Sequence, residues 1–70
     1  MIYFSAYAEQ KFAVLNRHGV FIRKEQVEDA LNAPALRGKI GRCLSAEKDG
    51  VKVIYSKEGE LKKVITFYPL

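Results

Sequence analysis

Apolar residues in the first part of the chain recur at helical spacing. Ala8, Phe12 and Leu15 stand at positions i, i+4 and i+7, which predicts an amphipathic helix over residues 5–17 with Ser5 as its N-cap. Gly19 is typical of the position that follows a helix C-terminus. Before this helix, residues 2–4 predict a short edge strand.

A second helix is predicted over residues 23–32. Val27, Ala30 and Leu31 form its apolar stripe, and the helix is expected to end before Pro34, because the residue that precedes a proline disfavours helical geometry. Arg23 is a poor N-cap residue, so the pattern does not fix the start of this helix.

After Pro34 the period of the pattern changes from helical to two. Ile40, Arg42, Leu44 and Ala46 alternate with smaller residues, which predicts a strand that carries Arg42 on the same face as its apolar neighbours. Residues 38–41 are interpreted as a flexible entry into this strand.

Two more strands are expected after a hairpin turn at Asp49 and Gly50. Residues 51–55 are rich in β-branched side chains, and a turn at Gly59 precedes a final strand over residues 61–68. The apolar run at residues 64–67 predicts a central strand buried on both faces. Lys62 and Lys63 are adjacent, so they point to opposite faces and at most one of them joins a binding surface.

The order of these elements predicts an α+β fold in one domain that spans residues 1–70. Two N-terminal helices would pack on one face of a three- to four-stranded antiparallel sheet. Because a helix pair covers only one face, we expect the other face, with its Lys, Arg and Tyr side chains, to be open to a ligand.

Charge is distributed unevenly along the chain. The sequence has 12 Lys and Arg against 8 Asp and Glu, and a net charge of +4. Residues 1–34 hold four of each sign, whereas residues 35–70 hold eight basic and four acidic side chains. Such asymmetry is typical of proteins that bind polyanions, although solubilising charge produces the same pattern.

The length and the cysteine content exclude several kinds of protein and of site. Seventy residues exclude a multidomain enzyme and predict a marginal core, which a partner or a homodimer interface would stabilise. The single cysteine, Cys43, excludes an internal disulfide and a multi-cysteine metal site, and indicates a reducing compartment, the cytoplasm. We expect no metal, no cofactor, no signal peptide and no membrane segment.

Two segments resemble a known group of proteins. The stretch KFAVLNRHGV at residues 11–20, followed by a helix that ends ALNAP at 30–34, resembles the start of BrnT-type toxins. The ending KVITFYP at residues 63–69 is similar to the closing strand of a related family of uncharacterised small domains. Both families belong to the RelE/ParE-like toxin superfamily. The chain departs from the related family at Tyr7, where that family usually has a histidine.

The resemblance implies a RelE-like fold and a small basic domain from a toxin–antitoxin pair. Several members of the superfamily cleave messenger RNA, and an antitoxin protein covers their active surface. The implied partners are therefore an antitoxin and RNA, ribosome-bound messenger RNA included. Some members poison gyrase instead, and some have no established activity.

RNA cleavage by attack of a 2′-hydroxyl requires a base, an acid and cations for the developing charge. With one histidine, a two-histidine mechanism is excluded, so a metal-independent site would depend on Lys, Arg and Tyr. Arg42 and Lys57 are candidates to hold the phosphate, and Tyr68 to stack on a base or donate a proton. The resemblance implies that His18 is a candidate proton donor or RNA contact. The structural interpretation is that His18 lies at the C-terminus of the first helix and interacts favourably with the helix dipole.

Further side chains are candidates for RNA binding because they are basic or aromatic and lie near those residues or on the predicted surface: Lys11, Arg17, Arg37, Lys39 and Tyr55. Tyr55 shares its strand parity with Val51 and Val53, which favours a place in the core over a place in the site. Lys11 is explained equally well as part of a solvated helix face.

The leading hypothesis is a RelE-like endoribonuclease, an mRNA interferase toxin. The alternative is a non-catalytic protein of the same fold that binds nucleic acid or a protein partner. A third hypothesis is a protein inhibitor of a cellular target such as gyrase.

Overall fold

The computed structural model describes all 70 residues and has two helices and five strands. In chain order these elements are β1 (Ile2–Phe4), α1 (Ala6–Arg17), α2 (Lys24–Asn32), β2 (Leu36–Ile40), β3 (Cys43–Lys48), β4 (Val51–Glu58) and β5 (Leu61–Pro69). The strands form one sheet in the order β1-β5-β4-β3-β2. The predicted α+β class is confirmed, as are both helices, to within one residue at their starts.

The two helices begin with different caps. Ser5 has extended backbone geometry, and its hydroxyl accepts a hydrogen bond from the Ala8 N–H at 3.1 Å and donates one to the Ile65 carbonyl at 3.1 Å. At α2 the Arg23 side chain cannot accept such a bond, and the Gln26 side chain accepts one from the Arg23 N–H at 2.8 Å instead. A side chain three residues into the helix thus stabilises a start that the sequence pattern left open.

Replacing Ser5 with alanine should lower the free energy of unfolding by about 1–2 kcal/mol, because the helix loses its cap and β5 loses a bond to α1. Urea unfolding of the variant measures this change. Ser56→Ala on β4 is the matched control and should be close to neutral. Equal losses in the two variants would show that the cap of α1 contributes nothing specific.

The sheet differs from the prediction in number and direction of strands. It has five strands, and β1 pairs in parallel with β5, through Ile2 with Lys62 and Phe4 with Val64. All other pairs are antiparallel. A purely antiparallel sheet of three or four strands was therefore wrong. The short edge strand predicted over residues 2–4 is confirmed. Periodicity within a strand carries no information about its partner, which is why its parallel pairing with β5 was not foreseen.

The predicted strand through residues 40–46 is interrupted by a turn. Ile40 pairs with Cys43, so Gly41 and Arg42 form a two-residue hairpin loop, with Gly41 at φ +61°. Glycine at positive φ is typical of such loops. Arg42 therefore lies in a turn, and its predicted place between Ile40 and Leu44 on one strand face was wrong.

A bulge in β5 determines which of its side chains face the helices. Tyr55 pairs with Val64 and Val53 pairs with Phe67, so β5 has one residue more than β4 over this stretch. The extra residue brings Val64 and Phe67 to the same face despite their odd separation, and both are fully buried. β5 is an inner strand as predicted, but Ile65 and Thr66 are only half-buried.

One hydrophobic core lies between the helices and the sheet. Its buried members are Ala8, Val27, Ala30, Leu31, Ala46, Val51, Val53, Tyr55, Val64 and Phe67. The Phe12 ring of α1 extends this core, with ring centroids 4.4 Å from Phe67 and 5.8 Å from Phe4. The place of Tyr55 in the core is confirmed. Neither helix is long and apolar enough to cross a membrane.

Candidate functional site

Three cationic side chains line one cleft at the C-terminal end of α2. The cleft has a volume of about 310 Å³. Its cations are Arg37 from β2, Lys57 from β4 and Lys62 from β5. The rest of the wall comes from Leu31, Gly38, Leu44, Ser45 and Tyr55. The structure thus places two predicted RNA contacts, Arg37 and Tyr55, beside Lys57, which the sequence assigned to the phosphate.

Strand register explains why these residues lie on the same face of the sheet. Val53 and Tyr55 are buried beneath the helices, and Lys57 continues the same row on β4 past the end of α2. Lys57 pairs directly with Lys62, while Arg37 on β2 is opposite the buried Ala46. The three cations therefore lie on the helix-covered face, where the sheet extends beyond α2.

This location corrects the expectation of a cationic face opposite the helices. On that opposite face, Lys52 on β4 is 3.8 Å from the Glu47 carboxylate. Lys63 and Glu58 share the same face by strand parity. The strands therefore contribute two positive and two negative side chains to that face, which is no excess of charge. Lys62 and Lys63 do point to opposite faces, as predicted.

Lys62 is held by the end of α2. Its Nζ donates a hydrogen bond to the Leu31 carbonyl at 3.2 Å. Carbonyls in the last turn of a helix lack partners within the helix, and a cation there also interacts favourably with the helix dipole. No local pattern in the sequence indicates this role, since the role depends on the position of α2 over the sheet. Lys62 is a site residue that the sequence analysis missed.

No carboxylate neutralises the cleft. The ion pairs of the protein are Lys24 with Glu9 at 2.6 Å, Lys48 with Asp29 at 2.9 Å, and Lys52 with Glu47 at 3.8 Å. None of them involves a cation of the cleft. Lys57 and Lys62 are directly opposite each other across two strands, and like charges in that position repel. An anion bound between them would relieve this repulsion.

Arg42 does not line the cleft. Because Leu44 pairs with Tyr55, the turn that contains Arg42 lies at the same end of the sheet as Lys57. The structure thus places Arg42 and Lys57 at one end of the sheet but not in one cleft. Lys39 shares the helix-covered face of β2 with Arg37 and also lies outside the cleft.

Tyr68 belongs to a different part of the molecule. It is six residues from Lys62 along β5, or roughly 20 Å at the rise of a strand, and faces the opposite side of the sheet. The Lys11 Nζ lies 5.7 Å from the centre of the Tyr68 ring and 5.9 Å from that of Tyr7, and donates a hydrogen bond to the Thr66 hydroxyl at 3.2 Å. The structure therefore does not bring Tyr68 together with Lys57.

The end of α1 also lies apart from the cleft. His18 is the C-cap residue, and its backbone N–H donates to the Leu15 carbonyl at 3.0 Å. Arg17 occupies the last turn of the helix, where a cation is favourable. Neither residue is brought to the cleft, and this geometry fits the structural interpretation of His18.

Lys48 on β3 forms an ion pair with Asp29 on α2. The hydrogen bond to Asp29 raises the pKa of Lys48 above its usual 10.5. A raised pKa contributes stability that is present below the unfolded pKa and is lost as the pH rises through the folded value.

The stability difference between the wild-type protein and Asp29→Asn should therefore be constant from neutral pH to about pH 9 and should shrink above the unfolded lysine pKa of ~10.5. Because the pair is exposed to solvent, we expect a small difference. Urea unfolding at several pH values measures it. Glu28→Gln, one residue earlier on α2, is the control, and the same alkaline trend there would refute the assignment.

Comparison of the chain with family models, with curated proteins and with solved structures found no significant match. No group of three or more His, Cys, Asp or Glu side chains is arranged to hold a metal ion.

Proposed function

We propose that this protein is a RelE-like endoribonuclease that holds the phosphate backbone of RNA in the cationic cleft. The observation that carries this proposal is the convergence of Arg37, Lys57 and Lys62 in one cleft without a carboxylate partner. Unpaired cations that line one cleft attract phosphate groups.

Each cation has a distinct part in holding the substrate. The planar guanidinium of Arg37 forms two parallel hydrogen bonds to one phosphate. Lys57 contributes a mobile positive charge. Lys62, already anchored by the Leu31 carbonyl, contributes a fixed one. Charges held in place before the reaction stabilise the negative charge that develops on the phosphate when a 2′-hydroxyl attacks it.

Two features of the sequence support the same proposal. The excess positive charge lies wholly in residues 35–70, which supply all three cations. The segments at residues 11–20, 30–34 and 63–69 resemble RelE/ParE-like toxins, in which RNA is a substrate and an antitoxin is the partner. The α+β architecture, with both helices on one face of the sheet, is compatible with that resemblance.

A second candidate is an RNA-binding protein without nuclease activity. The cleft is lined by no histidine, aspartate or glutamate, so none of the most common general bases is present there. Binding of RNA needs only the cations, whereas cleavage also requires Lys57 or Tyr55 to transfer protons.

Binding can be measured by fluorescence anisotropy with a short labelled single-stranded RNA at increasing salt. Lys57→Ala should weaken binding roughly tenfold at low salt and reduce the slope of log K against log salt by about 0.7, the value for one phosphate contact. Lys63→Ala removes the same charge on the opposite face of the sheet and should leave the slope unchanged. Equal effects of the two variants would refute binding in the cleft.

Cleavage is tested with the same RNA after labelling of its 5′ end. Attack by the 2′-hydroxyl breaks the bond to the 5′-oxygen and leaves a cyclic phosphate, so a 2′-deoxy substitution at the cleaved position should block the reaction. Products that the wild-type protein forms and Lys57→Ala does not would support an endoribonuclease. Binding in the cleft without products would support the second candidate.

A further inference from the structure

The strand β2 has an unpaired edge. It pairs with β3 on one side only, and all five of its residues are exposed. One row of its peptide N–H and C=O groups therefore points away from the sheet. At the opposite edge, β1 has only three residues, and the adjoining part of β5 is bonded to Ser5 at the start of α1. The edge of β2 is thus the longest open one in the sheet.

The two faces of β2 have different chemistry. Arg37 and Lys39 lie on the helix-covered face, as their partners Ala46 and Leu44 show. Leu36, Gly38 and Ile40 lie on the opposite face, with Leu36 62% and Ile40 46% exposed. Gly38 lies between the two apolar residues and pairs with Ser45, whose hydroxyl would stand only 2.9 Å from a Cβ at this position.

The charges of β2 argue against a second copy of the chain as the strand that covers this edge. Antiparallel pairing of two β2 strands about Gly38 would place Arg37 of each copy beside Lys39 of the other. Four cations would then share one face without a carboxylate, and like charges on neighbouring strands destabilise a sheet. A strand with carboxylates at alternate positions would have the opposite effect.

We propose that β2 binds an extended acidic segment of a partner protein by strand addition. The segment would pair its backbone with the open edge of β2, about 4.8 Å away. Its carboxylates would lie beside Arg37 and Lys39, and its apolar side chains beside Leu36 and Ile40. The complementary sequence therefore alternates acidic and apolar residues with a period of two.

The position of Arg37 predicts that the acidic segment and RNA compete, and this prediction rests on the proposed function. Arg37 belongs both to β2 and to the cationic cleft. A carboxylate bound to its guanidinium would occupy a group that RNA needs. The segment would therefore compete with RNA, whereas binding of the segment to β2 does not itself depend on RNA.

Strand addition can be tested with a labelled synthetic peptide whose core alternates valine and glutamate. One control peptide has proline at the central valine, which removes a backbone donor, and another has lysine in place of glutamate. Anisotropy should show binding of the first peptide alone. Lys39→Glu should weaken binding of the glutamate peptide about tenfold and allow the lysine peptide to bind.

Hydrogen exchange distinguishes peptide binding by strand addition from peptide binding by electrostatic attraction alone. Amides of residues 36–40 should become protected when the peptide binds. Peptide binding without this protection, equal binding of the proline peptide, or a concentration-dependent dimer through β2 that excludes the peptide would each overturn the proposal. RNA competition is measured separately. A peptide that protects the amides of β2 without displacing RNA would confirm strand addition and reject the competition. Failure of RNA binding in the absence of peptide would count only against the proposed function.

Discussion

Replacing Phe67 with alanine should lower the free energy of unfolding by about 3–5 kcal/mol. Phe67 is fully buried in the core, and its ring packs at a tilt against that of Phe12, with 4.4 Å between the ring centroids. The substitution removes a large area of apolar contact between α1 and the sheet and leaves a cavity. A domain of this size has a total stability of about 4–10 kcal/mol, so the substitution should remove roughly half of the stability of the protein.

Urea unfolding monitored by circular dichroism measures this effect. Phe21→Ala is the matched control, because Phe21 is 71% exposed and its removal should change the stability by no more than about 0.5 kcal/mol. A Phe67→Ala protein as stable as the control would contradict the position of Phe67 and the bulge that directs it inward.

Reversing two charges of the cleft, with Arg37→Glu and Lys57→Glu together, should weaken RNA binding at least about a hundredfold at low salt. Two phosphate contacts are lost, and each accounts for a factor of roughly ten at low salt, with a slope of about 0.7 per contact. Repulsion by the two new carboxylates adds to the loss. The double variant should also lose any RNA cleavage, and it should remain folded because both side chains are at the surface.

The matched control is Arg23→Glu with Lys63→Glu, which changes the net charge by the same amount at exposed positions outside the cleft. Its effect on RNA binding should be several-fold at most, through the long-range field alone. If both double variants lose RNA binding equally, the net charge of the protein, and no particular site, is responsible.

The helices could be predicted from sequence because their signals are local. The spacing of Ala8, Phe12 and Leu15 and the cap at Ser5 all lie within one or two turns of chain. The hairpin turn at Gly41 was not predicted, because the local pattern there does not differ from that of a strand. Small and large residues continue to alternate through the hairpin loop, so the pattern over residues 40–46 is indistinguishable from that of an unbroken strand.

The site could be predicted only in part. Arg37, Lys57 and Tyr55 were candidates by residue type and parity, and the register of the sheet brings them together. Lys62 was missed because its importance depends on where α2 ends. Tyr68 was assigned to the same site because a sequence does not show which end of the sheet a residue occupies.

The pairing of β1 with β5 has a consequence for the order in which the chain can fold during synthesis. The Ser5 hydroxyl donates a hydrogen bond to the carbonyl of Ile65, sixty residues later. At translation rates of 5–20 residues per second, roughly 3–12 s separate the synthesis of these two partners. Contacts so distant in sequence also form slowly. The first strand must therefore wait without a partner until the last strand leaves the ribosome, and a chaperone that binds exposed apolar segments would have its target there.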